Sequence, residues 1–532
     1  MAFFRQETAA WRNRDFAAFV ASPKTYVLRG RVVTMDDARL VIDDGFVAVV
    51  DDTISLVGRW TGSPPPPFES APVVLTAGTI YPGLIELHNH PAYNVVPMWP
   101  VPRRFDNRAQ WRADGGYKRW VSNTDNLLCK HPNAIYPKAL VRFVECRALL
   151  GGVTTTQGLY YENGTQLRSF FEGLVRNVEF PIKNWPTASD FINDFASSAE
   201  AQEKLGPALA AGTPYIIHLC EGTDVGTRAI FDRLRRADGT WIIGPSLVAI
   251  HCVALEDADF RVLSDNRAGG LVWSPLSNMM LYGGTTKIEL ARRAGLRIAI
   301  GCDWAPSGTK NLLGELKVAK IVSDHLGGLF SDRELVEAVT RVPASMMGWD
   351  AYIGTVEGTK AADFLILNGT NEDPYSMLLD ADESDIVGVV IAGRPRSGRP
   401  SIVDPTTPGV ELIQIAGQAL ALDIVESANH PLGGTSLGSA TTTMDYALAH
   451  LPDVAREAQA LAPHMLGAAE QWRPVPDYEE PAVGPLFALA TLPRPDEVDP
   501  LSIEPITAVD DPGFADRIRA NINVPAWFKD RL

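Results

Sequence analysis

His88 and His90 close the segment GLIELHNHP, two residues apart in a run that reads as a β-strand. Side chains alternate across a strand, so both imidazoles leave one face and can share a metal ion. His218 ends a second apolar run in YIIHLCEG, and Asp303 ends a third in RIAIGCD. Three imidazole nitrogens and a carboxylate suit Zn²⁺ and, less selectively, Fe²⁺ or another first-row ion. Glu221 stands three residues after His218, just past the strand end, where a carboxylate can take a proton from an activated water and return it to a leaving nitrogen. His251 ends the run LVAIHC, within reach of an attacking hydroxide or a developing oxyanion.

Each of these residues alone has a plainer account. An isolated HxH is a weak signal, His218 and His251 are compatible with core histidines bonded to backbone, and Glu221 with a solvated loop carboxylate. Asp303 is compatible with a helix N-cap before APSGTKN. The joint order carries the weight: HxH, then HxxE, then a strand-terminal His, then a strand-terminal Asp, each after an apolar run.

The elements that must position these groups follow from hydrophobic periodicity. Residues 81–350 alternate short apolar runs with helix-period segments (TTTQG then QLRSFFEGLVRN; PYIIHLC then TRAIFDRLRRA; SLVAIHC then DADFRVLSDN; GLVWS then KIELARRAG; RIAIGCD then GELKVAKIV). Such units predict an α/β fold with a parallel sheet, most economically a (β/α)8 TIM-like barrel whose strand ends carry the active site. Seven strands are counted, and the eighth is expected in VEFPIKNWP (178–186) or its surroundings. Short β-branched runs before residue 80, and again in IGTVEGTKAADFLILNG and IVGVVIAGRPR, predict one small β-sandwich built from both flanks. The expected division is 1–80 for an N-terminal helix and the first part of the sandwich, 81–350 for the catalytic barrel and 351–415 for the second part of the sandwich. Residues 416–532 are expected to form a helical extension and a Pro-rich acidic arm lying on a surface.

A chain of 532 residues with 46% hydrophobic content can bury a large core. The formal charge of -16 repels phosphate backbones, which argues against a nucleic-acid partner. Five cysteines without CxxC spacing give neither a disulfide framework nor a cysteine zinc site, and a reducing cytoplasm is expected. The first twenty residues are interrupted by charges, and no run approaches the length of a membrane span, so an unexported protein with no membrane partner is expected.

Over residues 25–400 the chain resembles the amidohydrolase superfamily, within it the branch of cytosine and guanine deaminases, S-adenosylhomocysteine deaminases and s-triazine hydrolases. The resemblance rests on GLIELHNHP (83–91), GGVTTTQG (151–158), HLCEG (218–222), HC (251–252), SPLSN (274–278), GCD (301–303) and GTVEGTKAADFLIL (354–367). It implies that His88, His90, His218 and Asp303 ligate the metal, that Glu221 shuttles the proton and that His251 stabilises the hydroxide. Asn278 is implied near the substrate or behind the ligands, and Asp303 can also accept a proton from the metal-bound water. No lysine stands at a strand end for a carbamylated bridge, which favours one metal ion over two. The metal's role is to lower the pKa of bound water from about 15.7 toward about 7. A homo-oligomer acting on a small molecule is also implied.

Trp273 before Ser274 and Trp304 after Asp303 depart from the family pattern and reshape the pocket. With Tyr93 and Trp99, they are the expected substrate contacts beside Asn278. The segment after HxH interleaves Trp99, Phe105, Trp111, Tyr117 and Trp120 with Arg103, Arg104, Arg108, Arg112 and Arg119, which reads either as a grip on a planar or anionic substrate or as a packed lid. The leading expectation is hydrolysis of a carbon–nitrogen bond, by deamination of a heterocycle or cleavage of an amide or cyclic amide. Displacement of halide from a heteroaromatic ring is the alternative chemistry, and a non-catalytic metal-binding scaffold is the alternative class.

Overall fold

The computed structural model describes residues 25–158, 174–182, 184–370, 372–424, 430, 432–466 and 492–532. The N-terminal helix expected before residue 25, most of the segment QLRSFFEGLVRN and the first part of the Pro-rich arm lie outside the described residues. Among the described residues, no helix is long and apolar enough to cross a membrane.

Among the described residues, seventeen strands form the frame. The first four are β1 (Thr25–Val33), β2 (Val41–Val50), β3 (Thr53–Arg59) and β4 (Val73–Pro82). Then follow β5 (Leu84–Ile85), β6 (Val153–Thr156), β7 (Arg176–Asn177), β8 (Ser189–Phe191), β9 (Tyr215–Leu219), β10 (Leu247–His251), β11 (Gly270–Trp273) and β12 (Ile298–Ile300). The last five are β13 (Phe364–Asn368), β14 (Ile386–Ile391), β15 (Arg394–Gly398), β16 (Glu411–Ile415) and β17 (Gln418–Leu422).

The two flanks do meet, in one hydrogen-bonded sheet of order β16-β17-β15-β14-β13-β4-β1-β2-β3. The antiparallel β4–β13 pair joins the N-terminal to the C-terminal strands, and β16 and β17 carry the sheet past residue 415 to Leu422. The sheet curls back on itself: Tyr26 Oη donates to Gly393 O at 2.8 Å and the Ala362 N–H donates to Asp52 O at 2.8 Å. A small apolar core including Leu28, Val47, Ile54, Phe364, Val390 and Ile402 fills the interior.

The strands β5 to β12 follow one another in space in sequence order, all parallel, as β5-β6-β7 and β8-β9-β10-β11-β12. Backbone bonds tie the two sheets at both ends. The Ala188 N–H reaches Val178 O at 2.8 Å on the β7–β8 side. On the β12–β5 side the Asp303 N–H reaches His88 O at 3.0 Å and the His90 N–H reaches Asp303 O at 2.7 Å. Alternation sorts the side chains. Ile85, Leu87, Ile216, Val248, Ile250, Val272 and Ala299 share one buried cluster, while their neighbours Leu84, Ile217, Ala249, Leu271 and Ile300 belong to the outer core against the helices. VEFPIKNWP is not itself a strand: Phe180 and Trp185 lie in turns, with N–H bonds to Asn177 O and Ile182 O, and the short β7 and β8 flank the segment.

The described part of the C-terminal arm packs on the segment after HxH. Glu504 accepts the Met98 N–H at 3.0 Å, and Asn523 Nδ2 donates to Met280 O at 2.8 Å and Arg103 O at 3.0 Å. Lys310, with 1% of its side chain exposed, is paired with Asp511 at 2.6 Å and Glu504 at 3.4 Å.

Candidate active site

The strand ends deliver the chemistry to one rim. His88 and His90 follow β5, His218 lies in β9, His251 closes β10 and Asp303 follows β12. Close backbone approach makes this possible: Gly301 lies against His88, where an added Cβ would sit 2.7 Å from the His88 carbonyl oxygen. His251 and Asp303 hold φ of 66° and 68°. Non-glycine residues avoid that region, so the fold spends strain to aim both side chains.

Four donor atoms converge. His218 Nε2 lies 3.2 Å from His88 Nε2 and 3.2 Å from His90 Nε2, and Asp303 Oδ1 lies 3.4 Å and 3.5 Å from the same two atoms. A tetrahedral ion with bonds of about 2.0–2.2 Å has ligand–ligand edges of about 3.3–3.6 Å. The chain's donor set therefore matches a four-coordinate dication in type and spacing, and both clusters of potential ligands among the described residues are drawn from these groups and His251. Burial pushes the His88, His218 and His251 imidazoles well below their ordinary pKa and His90 down to about 3, which keeps all four neutral, the form that ligates. Burial and the nearby Glu221 carboxylate push Asp303 well above the usual carboxylate range, a cost that a bound cation removes.

One helix, Pro275–Tyr282, with its N-cap residue supports four of the rim side chains, those of His88, Asp303, His251 and Glu221. Ser274, its N-cap residue, places Oγ 2.7 Å from His88 Nδ1. Ser277 Oγ donates to Asp303 Oδ2 at 2.6 Å, Asn278 Nδ2 lies 3.1 Å from His251 Nδ1, and Tyr282 Oη donates to Glu221 Oε1 at 2.7 Å. Spacings of three and four residues bring these side chains to one helix face.

The directions of the bonds can be read from donor inventories. Indole nitrogen only donates, so Trp304 Nε1 donates to Ser307 Oγ at 2.6 Å, Ser307 donates to Ser277 at 2.9 Å, and the Ser277 proton goes to Asp303 Oδ2. Asp303 Oδ1 is left for the histidine cluster. Asn278 Oδ1 faces the Thr285 and Thr286 hydroxyls at 3.5 and 3.4 Å, so its amide nitrogen faces His251 Nδ1. His251 then carries its proton on Nε2, which lies 3.6 Å from Glu221 Oε2. Burial raises the Glu221 pKa, opposed by Arg108, whose Nη1 is 3.6 Å from Oε2, and by Tyr282.

Of the expected substrate contacts, Tyr93 and Trp304 stand beside the cluster, with ring centres 6.3 and 6.0 Å from His90 and 5.2 Å from each other. Asn278 sits behind His251. Trp99 is farther out: it stacks on Phe105 at 5.8 Å and meets Tyr117 at 5.6 Å, and Tyr117 meets Trp304. Trp273 is not brought to the rim. It belongs to the outer core, donates to Thr285 at 2.7 Å and packs on Phe330, because alternation turns it away when Ser274 faces His88. Four of the five arginines of the aromatic segment are engaged with protein: Arg108 with Asp194 at 2.8 Å, Arg112 with Asn193 at 3.4 Å, Arg119 with Asp499, and Arg103 over the Phe105 ring at 4.4 Å. Ser274, Ser277, Ser307 and Tyr282 were not foreseen; the polar stripe at 274, 277, 278 and 282 in an otherwise apolar helix was the available signal.

The fold and the site define a class, that of metal-dependent hydrolases acting on non-peptide carbon–nitrogen bonds. Residues 187–396 match the amidohydrolase family, in line with the resemblance of the motifs. It is 26% identical over 359 residues to a 5-methylthioadenosine/S-adenosylhomocysteine deaminase of Desulforudis audaxviator, covering 60% of this chain and 80% of the relative. Among solved structures it is similar to a zinc-bound adenosine deaminase from Xanthomonas campestris (TM-score 0.53, 18% identity, 72% of this chain and 94% of that one). It is also similar to E. coli guanine deaminase (TM-score 0.53, 18% identity, 70% of this chain and 98% of that one).

Proposed function

We propose that the protein hydrolytically deaminates an amino-substituted aromatic heterocycle, a purine nucleoside or a related base. The observation that carries this reading is the pairing of the four-donor cluster with a buried Glu221–His251 couple at its edge, which a purely structural metal site does not need. His88, His90, His218 and Asp303 would hold one divalent ion, with zinc supported by the donor set and by the zinc-bound structural relative. A bound ion supplies Lewis acidity that makes water nucleophilic near neutral pH. Glu221 takes the proton of the attacking water and delivers it to the amino nitrogen, so that water adds to carbon and ammonia departs. The Nε2–H of His251 donates to the oxygen as charge develops on it. Tyr93 and Trp304 offer aromatic faces to a planar ring and help to exclude water.

The deaminase relative supports ammonia as the leaving group. The proposal includes closure of the strands β5 to β12 into a (β/α)8 barrel, supported by the backbone bonds at both sheet junctions, with the domain boundaries given above apart from the run of the sandwich to Leu422. It also includes a cytoplasmic setting, supported by five buried free cysteines, and a homo-oligomer, which light scattering would detect.

The test is ammonia release from purines, their nucleosides, pyrimidines, triazines and small amides by zinc-loaded protein, with Glu221→Gln as the blank. Release that disappears in the variant is expected. Chloride release from a chlorotriazine without ammonia from any amine would contradict the proposal.

A further inference from the structure

Glu221 has two oxygens in different surroundings. Oε1 accepts the Tyr282 hydroxyl at 2.7 Å, while Oε2 faces His251 Nε2 and Arg108 Nη1, each at 3.6 Å. Tyr282 is in turn approached by Trp111, whose Nε1 lies 2.7 Å from the phenol oxygen. An indole nitrogen has a proton to give and no lone pair to accept one, so Trp111 occupies the acceptor side of the phenol. The phenol proton then has one destination, Oε1 of Glu221. Both relay residues are buried, Trp111 at 3% and Tyr282 at 1% exposure, and burial together with the Glu221 charge keeps the phenol protonated.

We propose that Tyr282, locked by Trp111, is a positioning residue that commits Oε1 of Glu221 and thereby makes Oε2 the oxygen that carries the proton from water to the leaving nitrogen. This inference rests on the hydrolytic role of Glu221 given above. It parallels the relay Trp304, Ser307, Ser277 that occupies Oδ2 of Asp303 and leaves Oδ1 for the cluster. Each of the two working carboxylates is oriented through its idle oxygen, by a chain of donors that begins at a tryptophan.

The phenol matters beyond filling space. A carboxylate held through one oxygen cannot exchange its two oxygens by rotation about the terminal side-chain torsion, a broad two-fold torsion when unconstrained. Without the Tyr282 donor, Oε1 competes for the His251 side and the proton is no longer carried on a single trajectory. Trp111 comes from the helix Arg108–Ala113, so the segment after HxH reaches the proton shuttle through this bond.

The test uses full-length zinc-loaded protein and its Tyr282→Phe and Trp111→Phe variants, with adenosine as the probe. Tyr282→Phe removes one oxygen atom and is expected to lower kcat about 10- to 100-fold, as expected when a hydrogen bond to a charged group is lost, with KM within about twofold and zinc content unchanged. Trp111→Phe frees the phenol to turn and is expected to give a smaller fall in kcat. Crystal structures are expected to show the Glu221 carboxylate rotated in Tyr282→Phe. A Tyr282→Phe enzyme with unchanged kcat, or one whose carboxylate keeps its wild-type orientation, overturns the proposal. If the wild-type protein releases no ammonia from adenosine or any other amine tested, the functional reading fails, and the carboxylate orientation still decides the positioning role.

Discussion

Replacing Ser277 by alanine tests how the site holds its metal without touching a ligand. The Ser277 hydroxyl donates to Asp303 Oδ2 at 2.6 Å and is fully buried, so no water can replace it. A hydrogen bond to a charged group contributes about 1.5–3 kcal/mol, and each 1.4 kcal/mol is a factor of ten. The loss frees the Asp303 carboxylate to turn Oδ1 away from His88 and His90, which lie 3.4 and 3.5 Å from it. Zinc affinity is therefore expected to fall about 10- to 100-fold, the range typical of residues that orient ligands. The assay is competition against a chromophoric chelator at neutral pH, with a thermal melt to confirm that the variant folds. Trp304→Phe, which removes only the first donor of the relay, is expected to cost less. Zinc affinity in Ser277→Ala within about twofold of wild type would refute the reasoning.

Further outcomes follow from the same geometry. Asp303→Ala should purify with little metal, whereas Glu221→Gln should keep it and lose about 10²- to 10⁴-fold in turnover, read by metal analysis beside ammonia release. Asn278→Leu removes the donor that fixes the His251 tautomer and should lower kcat at unchanged metal content, with full activity counting against the assigned tautomer. Burial lowers the folded-state pKa of the site histidines, so unfolded chains bind protons that folded ones exclude. The stability of chelator-treated protein should thus hold above pH about 6.5 and drop as pH falls from there toward about 3, by up to about 1.4 kcal/mol per pH unit for each histidine; a Tm unchanged between pH 7 and 5 would contradict this. Lys310→Met removes the buried cation beside Asp511 and Glu504, which keep Arg517 as a partner, and should cost about 1.5–3 kcal/mol, seen as a lower Tm and faster proteolysis of the C-terminal arm.

The candidate ligands and the candidate proton shuttle were legible as a set because each stands at or just past the end of an apolar run. HxH, HxxE and GCD announce a face and a position at once, and the structure brings them to one rim. The strands on either side of the expected eighth carry no such run: Arg176–Asn177 and Ser189–Phe191 are two and three residues long, mostly polar, and are defined by their neighbours' hydrogen bonds. Trp273 was expected in the pocket because it departs from the family pattern, but a strand sends successive side chains to opposite faces, and with Ser274 facing His88 the indole goes to the outer core. The relays behind Asp303 and Glu221 join Trp304 to Ser277 and Trp111 to Tyr282 across segments distant in the chain. Only the helix stripe at 274, 277, 278 and 282 marked them in advance. The curled nine-stranded sheet was anticipated as two flanks closing together, while its last strand, β17 in the alanine-containing QALAL, runs past the expected boundary at residue 415.

The most direct test of the account is a crystal structure of zinc-loaded protein with anomalous diffraction recorded on either side of the zinc edge. One peak is predicted, within about 2.0–2.2 Å of the Nε2 atoms of His88, His90 and His218 and of Asp303 Oδ1. A peak ligated by Glu221 or His251 in place of any of these, or no peak at the rim, would contradict it.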